Sequence, residues 1–428
     1  MPKRPGSKVR IGGRVSRVKE LKNVRFIWVR DITGMTQITI LKGQVPKEVE
    51  KVADDLGPND FIIVEGIVPK NIKAKFESEI APTSMEIVSK SLRSSPIEIE
   101  RHKQSALDKR LDWRALDLRE PSNVAIFKIQ SKLVEGMQKY LYSQNFIEIF
   151  TPSILGSTSE GGAEVFSISH FGKAAYLRQD PQLHRDLMMI AGFEKVFEVG
   201  PSWRAELSNT PTHLSEHRTI ACEIAFVSDE YDVMHLEENL VMHAVESVVK
   251  DCRNELEELG VGLSVPKVPF PVLEFPKIYE ILDSIGKKLV HGQELDKDAE
   301  KLLGKYVREK YKSDFFFANR FPYAAKPFYV MRFDDDPKWA RSTDLIFRGL
   351  EISSGGQREH RYEKLVEQAK EKGLSLESLK WFTDFFKYGA PPHGGFSIGI
   401  ERFTMKLLNM QNVRETALFP RAPERVLP

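Results

Sequence analysis

The chain has 428 residues, of which 41% are hydrophobic and 29% are charged. These proportions are typical of a globular enzyme and exclude fibrous and disordered proteins. Its 63 basic and 61 acidic residues nearly cancel, so any contact with nucleic acid must depend on a local patch. The chain has 2 cysteines, and it shows neither an apolar leader nor a run of about 18 apolar residues. The composition therefore predicts a cytoplasmic protein without a disulfide framework or a membrane span.

The first ninety residues are predicted to form a small β-barrel. β-Branched and aromatic residues dominate four short segments, which are residues 9–15, 26–30, 36–40 and 61–67. A turn is expected at residues 31–34 and a helix at residues 46–56. Short strands with one intervening helix favour an OB-like fold over residues 1–90.

The remaining chain alternates strands with helices, after a charged connector at residues 91–120. A long helix is expected to begin with Ser122 as its N-cap, because apolar residues then recur at helical spacing. Further strands are predicted at residues 196–199, 219–226, 344–353 and 395–400, and helices at 233–253 and 402–410. Since no regular βαβ repeat occurs, an α+β fold with an antiparallel sheet flanked by helices is expected.

Polar and glycine-rich residues concentrate in three places that could bind a ligand. Residues 157–164 carry two adjacent glycines beside acids, which fits a mobile lid or a solvated turn. Arg204 lies two residues before Glu206, which on a strand would place both on one face. Such a guanidinium can bind a phosphate or carboxylate, or form a cross-strand salt bridge.

The third place is the glycine-rich stretch at residues 394–402. It would let a flat ligand approach the backbone or let strands pack closely, and Arg402, opening a helix, could stack on a purine. Upstream, Glu351 and Ser354 could offer oxygens to Mg²⁺, and Arg358 could bind a carboxylate.

A series of phrases extends these three places along nearly the whole chain. In order they are RLDWRALDLREP, FIEIFTP, EGGAEVF, PQLHRDLMM, FEVGPSWRAE, AKPFY, GLEISSGGQREHR, YGAPPHGGFSIGIER and LFPR. Together they resemble the class II aminoacyl-tRNA synthetases, and among these the archaeal and eukaryotic aspartyl-tRNA synthetases. The resemblance implies an OB-fold anticodon-binding domain at residues 1–90, a hinge at 91–120 and a catalytic domain at 121–428, in a homodimer.

The same resemblance implies a two-step reaction with ATP, L-aspartate and tRNA as substrates. Aspartate attacks the α-phosphorus of ATP, and the aspartyl group then passes from the adenylate to the 3′ end of tRNA. Such transfers depend on positioning and charge neutralisation, which agrees with a chain offering arginines and metal-binding oxygens instead of a dedicated nucleophile.

Particular residues take roles from the resemblance. As catalytic residues, Arg204 would bridge the reacting carboxylate and the α-phosphate, and Arg402 would stack on adenine and reach the γ-phosphate; Glu351 and Ser354 would hold Mg²⁺. The implied ATP-binding residues are Arg204, Glu206, Thr212, His213, Leu214, His217, Glu351, Gly399, Glu401 and Arg402. The implied aspartate-binding residues are Glu160, Asp180, Gln182, Arg185, Arg204, Ser354 and Arg358.

Five positions depart from the family pattern. Arg185 replaces a lysine that joins Arg358 at the substrate side chain, and Ala221 replaces an aspartate that binds the substrate ammonium. Asp180 replaces a serine, and we hypothesise that Asp180 takes over the ammonium contact. His217 replaces a stacking phenylalanine, and Thr212 replaces a loop arginine that contacts phosphate.

In the barrel, the resemblance assigns the anticodon contacts to Phe26, Gln37 and Glu79. Phe26 would stack on the middle base, Gln37 would bind its edge, and Glu79 would accept a bond from a cytosine amino group. Without the family pattern, Phe26 fits a residue of the barrel core. The region of Ser16 and Lys75 would face the third anticodon base.

Three alternatives remain open at this stage. An asparaginyl-tRNA synthetase shares the architecture, but Arg185 and Arg358 disfavour a neutral amide side chain. A non-discriminating enzyme would also aspartylate tRNA for asparagine. A catalytically inactive relative would be a binding module, and the presence of Arg204, Glu351 and Arg402 argues against it.

Overall fold

The structure is a computed structural model that describes residues 4–71, 74, 78–98, 104–157, 164–207 and 210–428. The chain forms two compact units, Met1–Pro96 and Ile97–Pro428. Residues 97–120, from the segment expected as a hinge, therefore belong to the second unit.

The first unit is a closed five-stranded barrel, which confirms the predicted OB fold. Its strands pair in the order β1-β2-β3-β5-β4. Their bounds, with one helix between β3 and β4, are β1 Lys8–Leu21, β2 Val24–Asp31, β3 Gly34–Leu41, α1 Lys47–Asp54, β4 Phe61–Ile67 and β5 Glu79–Ser89. Ile27 and Ile38 point into the core, so the alternate residues of β2 and β3 face outward.

The second unit is built on an eight-stranded sheet with the order β12-β13-β14-β15-β16-β11-β10-β6. Its strands are β6 Ile147–Glu148, β10 Lys195–Trp203, β11 Glu216–Ala225, β12 Val272–Glu274, β13 Phe315–Asn319, β14 Ser342–Phe347, β15 Leu350–Arg358 and β16 His393–Gly399. A small separate sheet contains β7 Ile154–Leu155, β8 Ser167–His170 and β9 Lys173–Leu177. The central pairings from β13 to β10 are antiparallel, as predicted, and parallel pairings occur at the two ends.

Helices cover this sheet and form the largest apolar core. Their bounds are α2 Leu107–Asp112, α3 Arg114–Asp117, α4 Pro121–Ser143, α5 Gln182–Ile190, α6 Glu230–Asp251, α7 Arg253–Leu259, α8 Lys277–Ser284, α9 Lys297–Tyr311, α10 Tyr362–Glu371, α11 Leu376–Thr383 and α12 Ile400–Leu407. Apolar residues of α4 and α6 pack with Ile220 and Cys222 of β11. Because side chains alternate along a strand, Ala221 and Glu223 face the other side of the sheet.

Several predicted boundaries were wrong. Ser122 lies inside α4, because the helix begins at Pro121 with Glu120 at its cap. The single strand predicted at residues 344–353 is a hairpin of β14 and β15. Its two turn residues, Arg348 and Gly349, have φ of 48° and 69°, as in the tight turns that suit twisted hairpins. Apolar residues on both sides of this turn made it look continuous.

Candidate active site and nucleic-acid surface

A cavity of about 690 Å³ opens on the sheet, at residues of β10, β11, β14, β15 and β16 and at the first residues of α5, α9 and α12. Arg204, Arg358 and Arg402 all line it, so the three arginines meet as the sequence predicts. Other predicted residues that line it are Asp180, Gln182, Glu206, Thr212, His213, Leu214, His217, Glu351, Ser354, Gly399 and Glu401. Glu160 lies outside the described residues.

Arg204 and Glu206 are neighbours in a loop. Strand β10 ends at Trp203, so these two residues do not share one face of a strand, and that prediction was wrong. The Arg204 backbone N–H donates to the carbonyl of Ser215 at 3.0 Å, which anchors the loop near the start of β11. The guanidinium lies 3.4 Å from Glu206 Oε1, and 51% of the Arg204 side chain is exposed. Arg204 can therefore reach a ligand in the cavity.

Arg402, His213 and His217 line the same cavity. Arg402 Nε donates to the Thr212 carbonyl at 3.1 Å, and its Nη1 lies 3.9 Å from Glu351 Oε1. Burial, together with the charges of Arg204 and Arg402, lowers the pKa of His217 to about 4. His217 is therefore neutral at pH 7 and presents an uncharged ring.

Glu401 has a structural contact in addition to its place at the cavity. Its two carboxylate oxygens accept the backbone N–H of Arg218 at 3.2 and 2.9 Å, which ties α12 to β11. Burial raises the pKa of Glu401 to about 7.

A cluster of oxygens lies at β14, β15 and α9. Ser354 Oγ donates to Asp344 Oδ1 at 2.6 Å, and Glu300 Oε2 accepts the Glu351 backbone N–H at 2.9 Å. Burial and the Asp344 charge raise the pKa of Glu351; burial and Glu351 raise that of Glu300 to about 7. Crowded acids of this kind fit a hard divalent cation, which would relieve their repulsion.

A β-bulge places two of these oxygens on the same side. Glu351 and Ser354 are three residues apart, a spacing that points side chains to opposite faces of a regular strand. Here Leu345 pairs with Ser353 and Ile346 with Glu351, so the pairing skips Ile352. Both Glu351 and Ser354 consequently line the cavity.

Two acids at this cluster were missed in the sequence. Asp344 and Glu300 both line the cavity. Asp344 could have been found as the acid in the otherwise uncharged strand Ser342–Phe347. No sequence pattern indicated Glu300 as a site residue, because it belongs to helix α9, whose packing against the sheet cannot be read from the sequence.

The floor of the cavity holds Arg358 in a fixed orientation. Arg358 Nε donates to Glu223 Oε1 at 3.2 Å, and its Nη2 donates to Gln182 Oε1 at 2.9 Å and to the Gly395 carbonyl at 3.0 Å. A Cβ on Gly395 would lie 2.3 Å from Glu223 Oε2, so glycine leaves the space that this carboxylate needs.

Three buried side chains of the types that can bind a metal ion lie beside this floor, and they form a structural network. Atoms of Asp186, Glu223 and His393 lie within 4.8 Å of one another. Gln182 Nε2 donates to Asp186 and to Glu223, in both cases at 2.7 Å, and Arg358 also donates to Glu223. These carboxylates are therefore already engaged by protein donors that hold the floor together.

Arg185 is buried with a counterion of its own. Its Nη1 lies 2.8 Å from Asp180 Oδ1, and its Nη2 donates to Gln182 Oε1 at 2.8 Å. Arg185 is fully buried and is not among the described residues that line the cavity, whereas Asp180 is. Burial raises the pKa of Asp180, but the nearby Arg185 outweighs it and holds the pKa below its usual value. Ala221 is also buried, and its methyl side chain offers no polar atom.

The predicted anticodon residues alternate with core residues and point away from the barrel core, and Gln37 and Glu79 are nevertheless buried. Phe26 is half-buried outside the barrel core, so its alternative assignment as a core residue was wrong. Its ring centroid is 6.2 Å from that of Trp28, a second outward aromatic that the sequence argument missed although it alternates with Phe26. Thr39 accepts from Gln37 Nε2 at 3.1 Å and donates to Glu79 Oε1 at 2.5 Å. Lys75 lies outside the described residues.

Solved structures share the fold of this chain over almost their full length. Asparaginyl-tRNA synthetase from Pyrococcus horikoshii, complexed with asparaginyl-adenylate, matches with a TM-score of 0.92 and 32% identity, covering 99% of this chain and 97% of the other. Aspartyl-tRNA synthetase from Entamoeba histolytica matches with a TM-score of 0.89 and 31% identity, covering 99% and 90%. The fold is that of a class II aminoacyl-tRNA synthetase.

Sequence comparison narrows the class to a family. Residues 106–423 match tRNA synthetases class II (D, K and N), and residues 9–88 match the OB-fold nucleic acid binding domain. The chain belongs to this class II tRNA synthetase family, as the sequence motifs predict. Aspartate–tRNA(Asp) ligase of Pyrococcus furiosus is 45% identical over 423 residues, 99% of this chain and 97% of the relative. Aspartate–tRNA(Asp/Asn) ligase of Aeropyrum pernix is 40% identical over 427 residues, covering 99% and 96%.

Within the described part of the chain, no helix has the length and apolar character needed to span a membrane.

Proposed function

We propose that this chain is an aspartate–tRNA ligase, which activates L-aspartate with ATP and transfers it to the 3′ end of tRNA(Asp). The observation that carries the proposal is the single cavity lined by Arg204, Arg358 and Arg402 together with the Asp344–Glu351 oxygen cluster. Positive groups at separate points of one cavity suit a substrate pair that carries a carboxylate and a polyphosphate. The full-length similarity to aspartate–tRNA ligases supports aspartate as the amino acid.

Arg204 is the residue best suited to act at the reacting atoms. It is exposed to the cavity, and a guanidinium can bind a carboxylate oxygen and a phosphate oxygen at once. Bridging the two would hold the nucleophile against the α-phosphate and offset the charge that develops there. Arg402, with neutral His217, would bind the adenine and the distal phosphate.

A magnesium ion fits the oxygen cluster of Asp344, Glu351 and Ser354, with Glu300 next to it. The donors are hard oxygens, and the pKa of Glu351 is raised by burial and by Asp344, so a cation would stabilise the ionised carboxylates. When bound, the ion would neutralise phosphate charge. The chain's contribution is to hold these oxygens on one face through the bulge at Ile352.

Selection of aspartate would depend mainly on Arg358. This arginine lines the cavity and is held by Glu223 and Gln182, so it is preorganised for a carboxylate. Arg185 is already paired with Asp180, so its positive charge would act on the substrate through the electrostatic field of the pocket. Asp180 lines the cavity and carries the negative charge that would hold the substrate ammonium in place of residue 221.

The outer face of the barrel would bind the anticodon. Phe26 and Trp28 would offer aromatic rings to bases, and the buried Gln37 and Glu79, both bonded to Thr39, would offer polar groups behind them. A homodimer in the cytoplasm is also proposed, as the family resemblance implies. Its interface would include Phe150, which is 83% exposed in the chain alone, since such a side chain is normally covered.

The decisive experiment is ATP–pyrophosphate exchange with aspartate, asparagine or lysine, followed by charging of tRNA(Asp) and tRNA(Asn) transcripts. Exchange with aspartate and charging of tRNA(Asp) alone support the proposal. Charging of both tRNAs would make the enzyme non-discriminating, like the relative named for tRNA(Asp/Asn). Exchange with asparagine only would make it an asparaginyl-tRNA synthetase, and no exchange with any amino acid would leave a binding module.

A further inference from the structure

The loop of Thr212 and His213, which lines the cavity, lacks one positive charge. Thr212 lies where the resembling enzymes have an arginine that contacts the ATP phosphates. A threonine hydroxyl can form a hydrogen bond but cannot neutralise a polyphosphate. Its neighbour His213 lines the cavity, and burial, then Arg402, lowers its pKa, so the imidazole is neutral at pH 7.

A lysine from a distant part of the chain lies against this loop. Lys297 is the first residue of α9, and its Nζ lies 3.2 Å from Thr212 Oγ1 and 3.5 Å from His213 Nδ1. It lines the same cavity as Arg204 and Arg402. The ammonium group of Lys297 therefore lies next to Thr212, the position at which the resembling enzymes have the arginine.

The backbone beneath Lys297 is well anchored. Asp296 caps α9, since its side chain accepts the Ala299 backbone N–H at 2.8 Å, and Lys287 Nζ lies 2.7 Å from Asp296 Oδ2. Among the described residues, no carboxylate lies within ion-pair distance of Lys297 itself. Its charge is thus available to an anion that enters the cavity.

We propose that Lys297 binds the β- and γ-phosphates of ATP, with Thr212 and His213, and supplies the cation that the loop lacks. This inference rests on the proposed use of ATP and adds a residue to it. Lys297 is a binding residue for the pyrophosphate portion, so AMP, which has no such portion, does not depend on it.

The test compares binding of ATP and of AMP to the full chain by isothermal titration calorimetry, with no amino acid or tRNA present. Lys297→Met retains most of the aliphatic stem and removes the charge. We expect ATP to bind about tenfold more weakly and AMP to change less than about twofold. Lys301→Met is the matched control, because Lys301 lies one turn further along α9 and pairs with Asp298 at 3.6 Å. It should leave both affinities unchanged.

A second variant tests the replacement directly. In the Lys297→Met background, Thr212→Arg should restore ATP affinity to within about threefold of the original chain, because it returns a guanidinium to the loop. Unchanged ATP binding in Lys297→Met, or equal losses for ATP and AMP, would overturn the inference. The readout is independent of the amino acid, so failure of aspartate activation would refute the proposed substrate without affecting this result.

Discussion

Replacing Asp180 by asparagine removes the counterion of Arg185 and leaves the side-chain volume almost unchanged. Asp180 Oδ1 lies 2.8 Å from Arg185 Nη1. At an effective dielectric of about 20, Coulomb's law gives about 6 kcal/mol of attraction at this distance. Removing one partner of a buried pair typically costs about 3–5 kcal/mol. We expect the lower end, about 3 kcal/mol, since Asp180 keeps 25% exposure and Glu223 lies 4.0 Å from Arg185.

Two measurements separate the structural role of Asp180 from its proposed role in binding. Thermal unfolding should show the Tm of Asp180→Asn about 5 °C below that of the original chain. Exchange kinetics should show a KM for aspartate raised about tenfold, because an amide lacks the charge that attracts the substrate ammonium. Adding Ala221→Asp should recover much of the KM, since it returns an acid to the position used by the resembling enzymes.

The Tm and the KM of Asp180→Asn together distinguish the two roles of Asp180. A lower Tm with an unchanged KM would mean that Asp180 serves only as the counterion of Arg185, and the ammonium contact would be refuted. An unchanged Tm would refute the energetic argument for the pair. Asp186→Asn does not serve as a control, because Gln182 donates to Asp186 in the same network. Glu48→Gln, in helix α1 of the barrel unit, makes the same change of charge in the other unit and should alter neither quantity.

Three further predictions follow from other parts of the structure. Glu351→Gln should lower exchange activity at least about a hundredfold and weaken its dependence on added Mg²⁺, as titrated against EDTA. Burial raises the pKa of Glu237 to about 8, above its value in the unfolded chain, so the protonated carboxyl's contribution to stability is lost as the pH rises through 8. Glu237→Gln should therefore raise the Tm relative to the original chain by about 5 °C at pH 9 and by little at pH 4; an equal gain at both pH values would contradict this. Phe26→Ala should weaken tRNA binding about tenfold in filter assays while leaving aspartate-dependent exchange unchanged, and a loss of exchange would instead indicate misfolding.

The sequence was most informative where local pattern decides the structure. The β-branched and aromatic residues at 26–30 predicted a barrel strand, and β2 covers them, with Ile27 in the barrel core. The motifs around Arg204, Glu351 and Arg402 predicted which residues meet at the cavity. These predictions succeeded because the residue types that favour strands and the family motifs are both local properties of the chain.

The remaining features depend on long-range packing, which a local pattern cannot encode. Lys297 reaches Thr212 from 85 positions along the chain, and nothing near either residue indicates the contact. The Asp180–Arg185 pair was missed because both residues had been assigned to the substrate, whereas charges buried side by side satisfy each other first. Arg204 and Glu206 are close because they are neighbours in a loop. The prediction placed them on a strand, but β10 ends before them.

The skipped pairing at Ile352 has a consequence for how this strand can change over time. Deleting one residue there would make β14 and β15 a more regular ladder, a change that ordinary sheet geometry favours. The same deletion would turn either Glu351 or Ser354 toward the helices, and the oxygen cluster would be dismantled. Improved pairing and loss of the proposed cation site would thus follow from the same deletion, so that site requires the irregular pairing.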